Sequence, residues 1–166
     1  MNKYDSISLE FLREILHYDI STGVFTWKVR RGFAQVGMLA GTPDKNGYIA
    51  IRINRHSFQS HRLAWFYVRG IWPVGQIDHI DGCKTNNSLD NLRDVTGTEN
   101  SENLRSATAR NLSGVLGVSR NPRGKPWRAQ IKVNRKSIFL GMFNTKEEAH
   151  EAYLAAKRKL HAGCTL

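Results

Sequence analysis

The sequence predicts an α+β fold in two parts, on three observations. Short runs such as YIAIRI (48–53) and WRAQIKV (127–133) alternate with the period of two that marks half-buried strands. Helical spacing is confined to a few separate stretches, among them Leu9, Leu12, Ile15 and Leu16, and a segment starting at Thr145. Charge is divided unevenly: residues 107–166 hold 12 Lys/Arg against 3 Asp/Glu, a balance of +9, while residues 1–106 hold 13 against 11, a balance of +2.

The first helix begins behind Ser8, a good N-cap, and STG at 21–23 closes the segment. VFTW reads as a short strand, and a loop with Gly32, Gly37 and Gly41 leads to the turn NGY at 46–48. YIAIRI follows as a strand, NRH as a turn, and SFQSHRLAWFYVRG begins as a second strand and ends as a buried helix. These elements form a small platform. On it sits a ββα unit: Asp78 and His79 close a short strand, Gly82 breaks it, an Asn-rich loop follows, and LRDVT (92–96) returns. Thr98 then caps a helix carrying Asn100 and Asn103 three residues apart on one face. The polar, basic stretch 106–114 reads as a linker. From Gly117 the pattern is strand VSR, turn, strand WRAQIKV, turn NRK, strand SIFLGMF and a helix. Thr145 caps that helix, Glu147 and Glu148 lie in its first turn and Lys157, Arg158 and Lys159 near its end, matching the helix dipole. The expected domains are 1–105, with the ββα core at about 76–105, and 115–166.

Composition narrows the classes. With 23% charged and 40% hydrophobic residues the chain is a foldable mixture. No apolar run approaches the roughly 20 residues of a bilayer span, and the N-terminal stretch, with three acids among its first fourteen residues, does not read as a signal peptide. Two cysteines, Cys83 and Cys164, make neither a disulfide framework nor a four-thiolate zinc site. A cytoplasmic protein is expected, with no membrane partner. The net charge of +11, concentrated in the last third, points to a polyanion.

The acids cluster where the charge balance is least positive. Asp78, His79, Asn91 and Asn100 suit phosphodiester hydrolysis. A hard divalent cation prefers oxygen ligands, and Asp78 with the Asn100 amide oxygen can supply them. His79, next to Asp78, is placed to deprotonate water near neutral pH, with Asn91 as the candidate that orients its ring.

DHIDGCKTNNSLDNLR, followed by T and then EN and N, resembles the HNH nucleases, in the phage homing-endonuclease branch whose last His is Asn. HRLAWFYVRG, with His61, is similar to the segment preceding the motif there, and the likeness spans about 46–105. It implies metal ligation by Asp78 and Asn100, a general base at His79 oriented by Asn91, Asn103 near the metal, and Arg93 near phosphate. One Mg²⁺ per site is implied, with Mn²⁺ as substitute. The cysteine pairs that hold zinc in some relatives are absent, so no structural zinc is expected. His61 is open between a packed core histidine and a substrate contact; His17, His56, His150 and His161 are assigned to the surface.

The segment 117–157 resembles the APETALA2/ethylene-response-factor type of DNA-binding domain. Its matching residues include Gly117–Val118, Gly124–Lys125, Trp127, LGMF at 140–143 and AYLAAK at 152–157. The resemblance implies a three-stranded antiparallel sheet read into the major groove and backed by one helix. Alternation puts Arg128, Gln130 and Lys132 opposite Trp127, Ala129 and Ile131, and the first set is the one suited to base edges and phosphate. Arg120, Arg123, Lys125 and Arg135 are further DNA-contact candidates. Ser119, Asn121 and Arg123 depart from the plant pattern, so its GC-rich target does not carry over. Together these readings give a metal-dependent endonuclease acting on double-stranded DNA, site-recognising or nicking. The alternatives are an inert DNA-binding regulator and a non-specific nuclease. Monomer or dimer is left open.

Overall fold

Helix α1 (Leu9–Ile15) starts where Ser8 stops the chain from extending backward: the Ser8 Oγ accepts from the Phe11 N–H at 3.1 Å. A computed structural model describes residues 3–107, 111–123 and 126–165 of the chain. It divides into two compact units, residues 1–96 and 97–166.

In the first unit α1 ends earlier than its apolar spacing suggests. Leu16–Tyr18 form a strand, β1, that pairs antiparallel with β2 (Phe25–Trp27), Leu16 opposite Trp27 and Tyr18 opposite Phe25. Leu16 and Tyr18 are buried on either side of an exposed His17. That alternation only makes sense once β2 supplies backbone partners, which helical spacing cannot reveal. Strands β3 (Thr42–Pro43), β4 (Ile49–Ile53) and β5 (His56–Gln59) form a second antiparallel sheet in that order. β4 and β5 are joined by a two-residue turn in which Asn54 and Arg55 both have positive φ, 47° and 67°. This is the left-handed geometry a tight hairpin demands, and Asn tolerates it well. Helix α2 (Ser60–Arg69) follows at once and stops at Gly70, whose φ of 74° closes the last turn. β6 (Gln76–His79) and β7 (Leu92–Val95) make a separate antiparallel pair.

The core of this unit gathers Leu12, Leu16, Ile51, Ile53, Phe58 and Leu63, all fully buried. Trp72 stacks on Phe66 with centroids 4.1 Å apart and on Phe58 at 6.1 Å, tying the chain beyond α2 to the β4–β5 sheet.

The second unit begins with a short helix, α3 (Gly97–Glu102), which carries Asn100, with Asn103 just beyond its end. It starts one residue before the expected cap, Thr98. The division at 96/97 also precedes the expected linker at 106–114, of which 108–110 lie outside the described residues. The ties that hold α3 explain this. Gly163 N–H donates to Glu102 Oε2 at 3.1 Å, the Thr165 hydroxyl donates to Asn103 Oδ1, and buried Lys157 donates to the Leu104 carbonyl. Lys157, in the last turn of its helix as expected, is also an internal clamp, and burial pushes its ammonium below the ordinary lysine range.

Strands β8 (Val118–Arg120), β9 (Trp127–Val133) and β10 (Lys136–Phe143) form one antiparallel sheet with β9 central. β9 and β10 meet in a second Asn–Arg turn, Asn134 and Arg135 at φ 48° and 66°. Helix α4 (Lys146–Leu160) carries a full capping box: Thr145 accepts from Glu148 N–H at 3.2 Å, and Glu148 accepts from Thr145 N–H at 3.4 Å. Val118, Ala129 and Ala149 are buried together, and Tyr153 lies so close over Gly117 that a Cβ there would stand 1.9 Å from its ring. Among the described residues, no helix is long and apolar enough to cross a membrane.

Because Phe58 has no exposed surface and joins the aromatic stack to the sheet, Phe58→Ala should lower the unfolding free energy by about 3–5 kcal/mol. A urea titration of the variant against the parent checks this, and a loss under about 1 kcal/mol would contradict that core assignment.

Candidate active site

The register of β6 and β7 builds the centre of the site. Asp78 faces Arg93 across the pair, and His79 faces Leu92. Cross-strand neighbours on one face meet. Arg93 Nε and one terminal nitrogen lie 2.8 Å and 2.7 Å from Asp78 Oδ2. Asp78 is 6% exposed and His79 5%, so both polar groups sit where an unmatched charge or N–H is costly. The guanidinium satisfies the carboxylate. Arg93 is thus placed on the carboxylate itself.

His79 is matched by a residue the motif reading did not single out. Its Nε2 lies 3.0 Å from Asn87 Oδ1, while the Asn87 amide nitrogen donates to the Thr85 carbonyl at 3.4 Å. With the amide so oriented, Oδ1 accepts from an Nε2–H of the ring. Asn91, expected to orient His79, has other partners. Its Oδ1 accepts from Asp81 N–H at 2.9 Å, and its Nδ2 donates to Asp81 Oδ1 at 2.9 Å and to the Asn86 carbonyl at 2.8 Å. Asn91 braces the loop; Asn87 holds the imidazole. The difference has a plain reason. Both are buried asparagines on one loop, and only its three-dimensional path decides which amide reaches the ring.

Asp81 is the hub of that loop. It also accepts from Cys83 N–H at 2.7 Å and Asn86 Nδ2 at 2.7 Å. Desolvation works against its charge, but the hydrogen bonds from Asn86, Cys83 and Asn91 prevail and keep the carboxyl below its ordinary range. The loop is anchored from outside as well. The Tyr18 hydroxyl donates to the Asn87 carbonyl at 2.7 Å, and Gly23, at φ 73°, lies so close that a Cβ would stand 2.1 Å from Asn87 C and Ser88 N.

His61, left open between core and substrate, is packed. It is 8% exposed, its ring meets the His79 ring edge-on at 5.2 Å and the Tyr48 ring at 5.3 Å, and Tyr48 also lies 5.9 Å from His79. Burial first, then the neighbouring His79, holds the His61 imidazole down to about 3. Its Nδ1 has no hydrogen-bond partner among the described residues. Nothing in the spacing marked Tyr48 or Asn87 as neighbours of His79.

The remaining candidates fall in the second unit. Asn100 is on α3, and Asn103, 5% exposed, accepts from Thr165. Arg128, Gln130 and Lys132 share one face of β9, opposite buried Ala129 and Ile131, with the Arg128 guanidinium 5.4 Å from the Phe139 ring. Arg120 pairs with Trp127, which sets it on the other face at an exposed strand end. Arg123 and Arg135 are exposed in turns, and Lys125 lies outside the described residues.

Among the described residues no group of three or more His, Cys, Asp or Glu is placed to hold an ion by itself. A hard cation of the Mg²⁺ kind asks for less, one or two protein oxygens beside phosphate and water, and the Asp78 carboxylate fits that part.

Residues 58–102 match the family model described as HNH endonuclease. The chain is also 32% identical over 101 residues to Protein 3.8 of Escherichia phage T7, a stretch covering 54% of this chain and 83% of that protein. No solved structure matches it.

Two outcomes test the geometry. Nitrogen NMR of the His79 ring should report the Nε2–H tautomer, and Asn87→Ala should mix the tautomers where Asn91→Ala does not. For His61 the folded value lies below the unfolded one, so its contribution is complete above about pH 6.5 and drains away as pH falls from there towards 3. Urea midpoints followed over that window should fall less steeply in His61→Phe than in the parent.

Proposed function

The chain belongs to the same family as Protein 3.8 of phage T7 and carries an HNH endonuclease domain at residues 58–102, and on that footing we propose that it is a metal-dependent DNA endonuclease. The observation that carries the proposal is the buried pair at the end of β6. The Asn87 amide oxygen accepts from His79 Nε2–H and fixes the ring, and beside it stands the Asp78 carboxylate on the Arg93 guanidinium.

His79 accepts the proton of the attacking water, and the Asn87 hydrogen bond keeps the ring from turning as it becomes cationic. Asp78 and Asn100 would hold one divalent cation, Mg²⁺ or Mn²⁺, which supplies stabilisation of charge on the phosphate and leaving oxygen. Arg93 has two competing anions, Asp78 and the substrate phosphate. Its planar fork of donors suits either one. Tyr48 and His61 close one side of the imidazole and limit water to the side from which substrate comes.

The exposed face of β9 supports a further part of the proposal, that the APETALA2/ERF-like sheet of residues 115–166 supplies affinity and address on double-stranded DNA. Arg128 and Gln130 are suited to base edges and Lys132 to phosphate. Such an address would make the enzyme site-recognising, of the homing or nicking kind, rather than a general nuclease.

Supercoiled plasmid incubated with Mg²⁺ or Mn²⁺ should become open circular or linear. His79→Ala should reduce the rate by at least about a hundredfold while DNA binding persists. Absence of metal-dependent cleavage on any duplex would refute the enzyme and leave the DNA-binding regulator. Because α3 is tied to Gly163 and Thr165, cutting off the C-terminal part would also release Asn100, so point variants are the cleaner probe. Lys132→Ala should reduce the salt slope of binding by about one, whereas Arg128→Ala or Gln130→Ala should cost about 1–3 kcal/mol on the preferred sequence and little elsewhere.

A further inference from the structure

Residues 28–39 form an exposed finger that the nuclease reading leaves without a task. Arg31 and Ala34 exchange both backbone hydrogen bonds, each 3.0 Å, so Gly32 and Phe33 make a two-residue turn with Gly32 at φ 60°. The turn holds Phe33 at its tip, where the side chain is 103% exposed. The finger is braced at its stem. Gly37 N–H donates to the Trp27 carbonyl at 2.7 Å, Trp27 N–H to the Met38 carbonyl at 2.9 Å, and Ala40 N–H to the Phe25 carbonyl at 2.8 Å. The Arg31 guanidinium lies over the Trp27 and Phe11 rings at 5.7 Å and 5.9 Å and donates to Asn54 Oδ1 at 3.0 Å.

Two properties of this finger select its partner. Val36, Met38 and Leu39, on the arm that follows, are 66%, 51% and 72% exposed, so the finger offers apolar surface besides Phe33. The arm that leads to its tip is cationic. From Ile20 to Pro43 there is no acid, while Lys28, Arg30 and Arg31 are present, and Arg30 is exposed without a partner among the described residues. An apolar wedge beside a cationic arm is the equipment for entering a base step from the minor groove while holding a flanking phosphate. A pre-set turn presents the aromatic ring at little cost in conformational freedom.

The geometry points to Phe33 as a wedge inserted between base pairs of the duplex, with Arg30 on an adjacent phosphate. This rests on the nuclease proposal and adds to it a second DNA contact that the family motif does not contain. The sheet carrying the finger also anchors the active-site loop, since Tyr18 and Gly23 press on Asn87. Phe33 is ten residues beyond Gly23, a reach of at most about 36 Å of extended chain. At about 3.4 Å per base pair the unstacked step therefore lies within roughly ten base pairs of the cut. Opening that step would bend the duplex at a fixed offset from the scissile phosphate.

The test uses the full chain without divalent cation, so that DNA binds uncut, and duplexes with 2-aminopurine walked through the positions on both sides of the cleavage point. Bound protein should raise the fluorescence severalfold at one step. Phe33→Ala should abolish the rise and weaken binding by at least about fivefold, and Phe33→Trp should restore both. The side chain is exposed, so Phe33→Ala leaves folding intact, which circular dichroism verifies. Binding and cleavage by the parent with no fluorescence rise at any position, or a rise that survives Phe33→Ala, overturns the wedge and leaves the nuclease standing. No DNA binding by the parent overturns both. Phe33-dependent sedimentation with anionic phospholipid vesicles, with the duplex signal unmoved, assigns the finger to a membrane surface and likewise overturns the wedge.

Discussion

The hydrogen bond between His79 and Asn87 is the interaction on which the site depends. An imidazole this deeply buried needs its nitrogens assigned, since leaving a buried polar group unmatched costs about 1–3 kcal/mol. Asn87 can meet that need only if its loop follows one path. The path is set from two directions: Asp81 and Asn91 cross-brace the loop from within, and Tyr18 with Gly23 press on its backbone from the β1–β2 sheet. The N-terminal platform thus helps to position the candidate site. Its aromatic core, with Tyr18, Phe25 and Tyr67 in mutual contact, positions a hydroxyl more than sixty residues away in sequence.

Counting basic residues overstates the positive charge available to a polyanion. Arg62 donates to the carbonyls of Pro73 and Gly75, setting the approach to β6, and Arg93 neutralises Asp78. Lys157 is buried under Leu104, and Arg31 is stacked on aromatic rings. Arg62 and Lys157 thus serve backbone carbonyls, and Arg93 and Arg31 serve a carboxylate and aromatic rings. The charge left to act at a distance belongs to exposed positions such as Arg30, Arg128 and Lys132.

Much of the architecture was legible in the sequence because its signals are local. The capping box of Thr145 and Glu148, the alternation through Trp127–Val133 and the turn at Asn54–Arg55 each act within a few residues, and each element forms where those signals stand. Asp78 and His79 at a strand end followed equally from a short apolar lead and the Gly82 break. What only the tertiary structure decided were choices between chemically equal residues and between competing partners. Leu16–Tyr18 became a strand because β2 lies beside them. Asn87 rather than Asn91 reached His79, Asp78 received Arg93 through strand register, and α3 was drawn to the chain around Gly163. Spacing along a chain specifies turns and faces, whereas these choices are made by contacts between distant segments, whose free energies appear only once the packing brings them together.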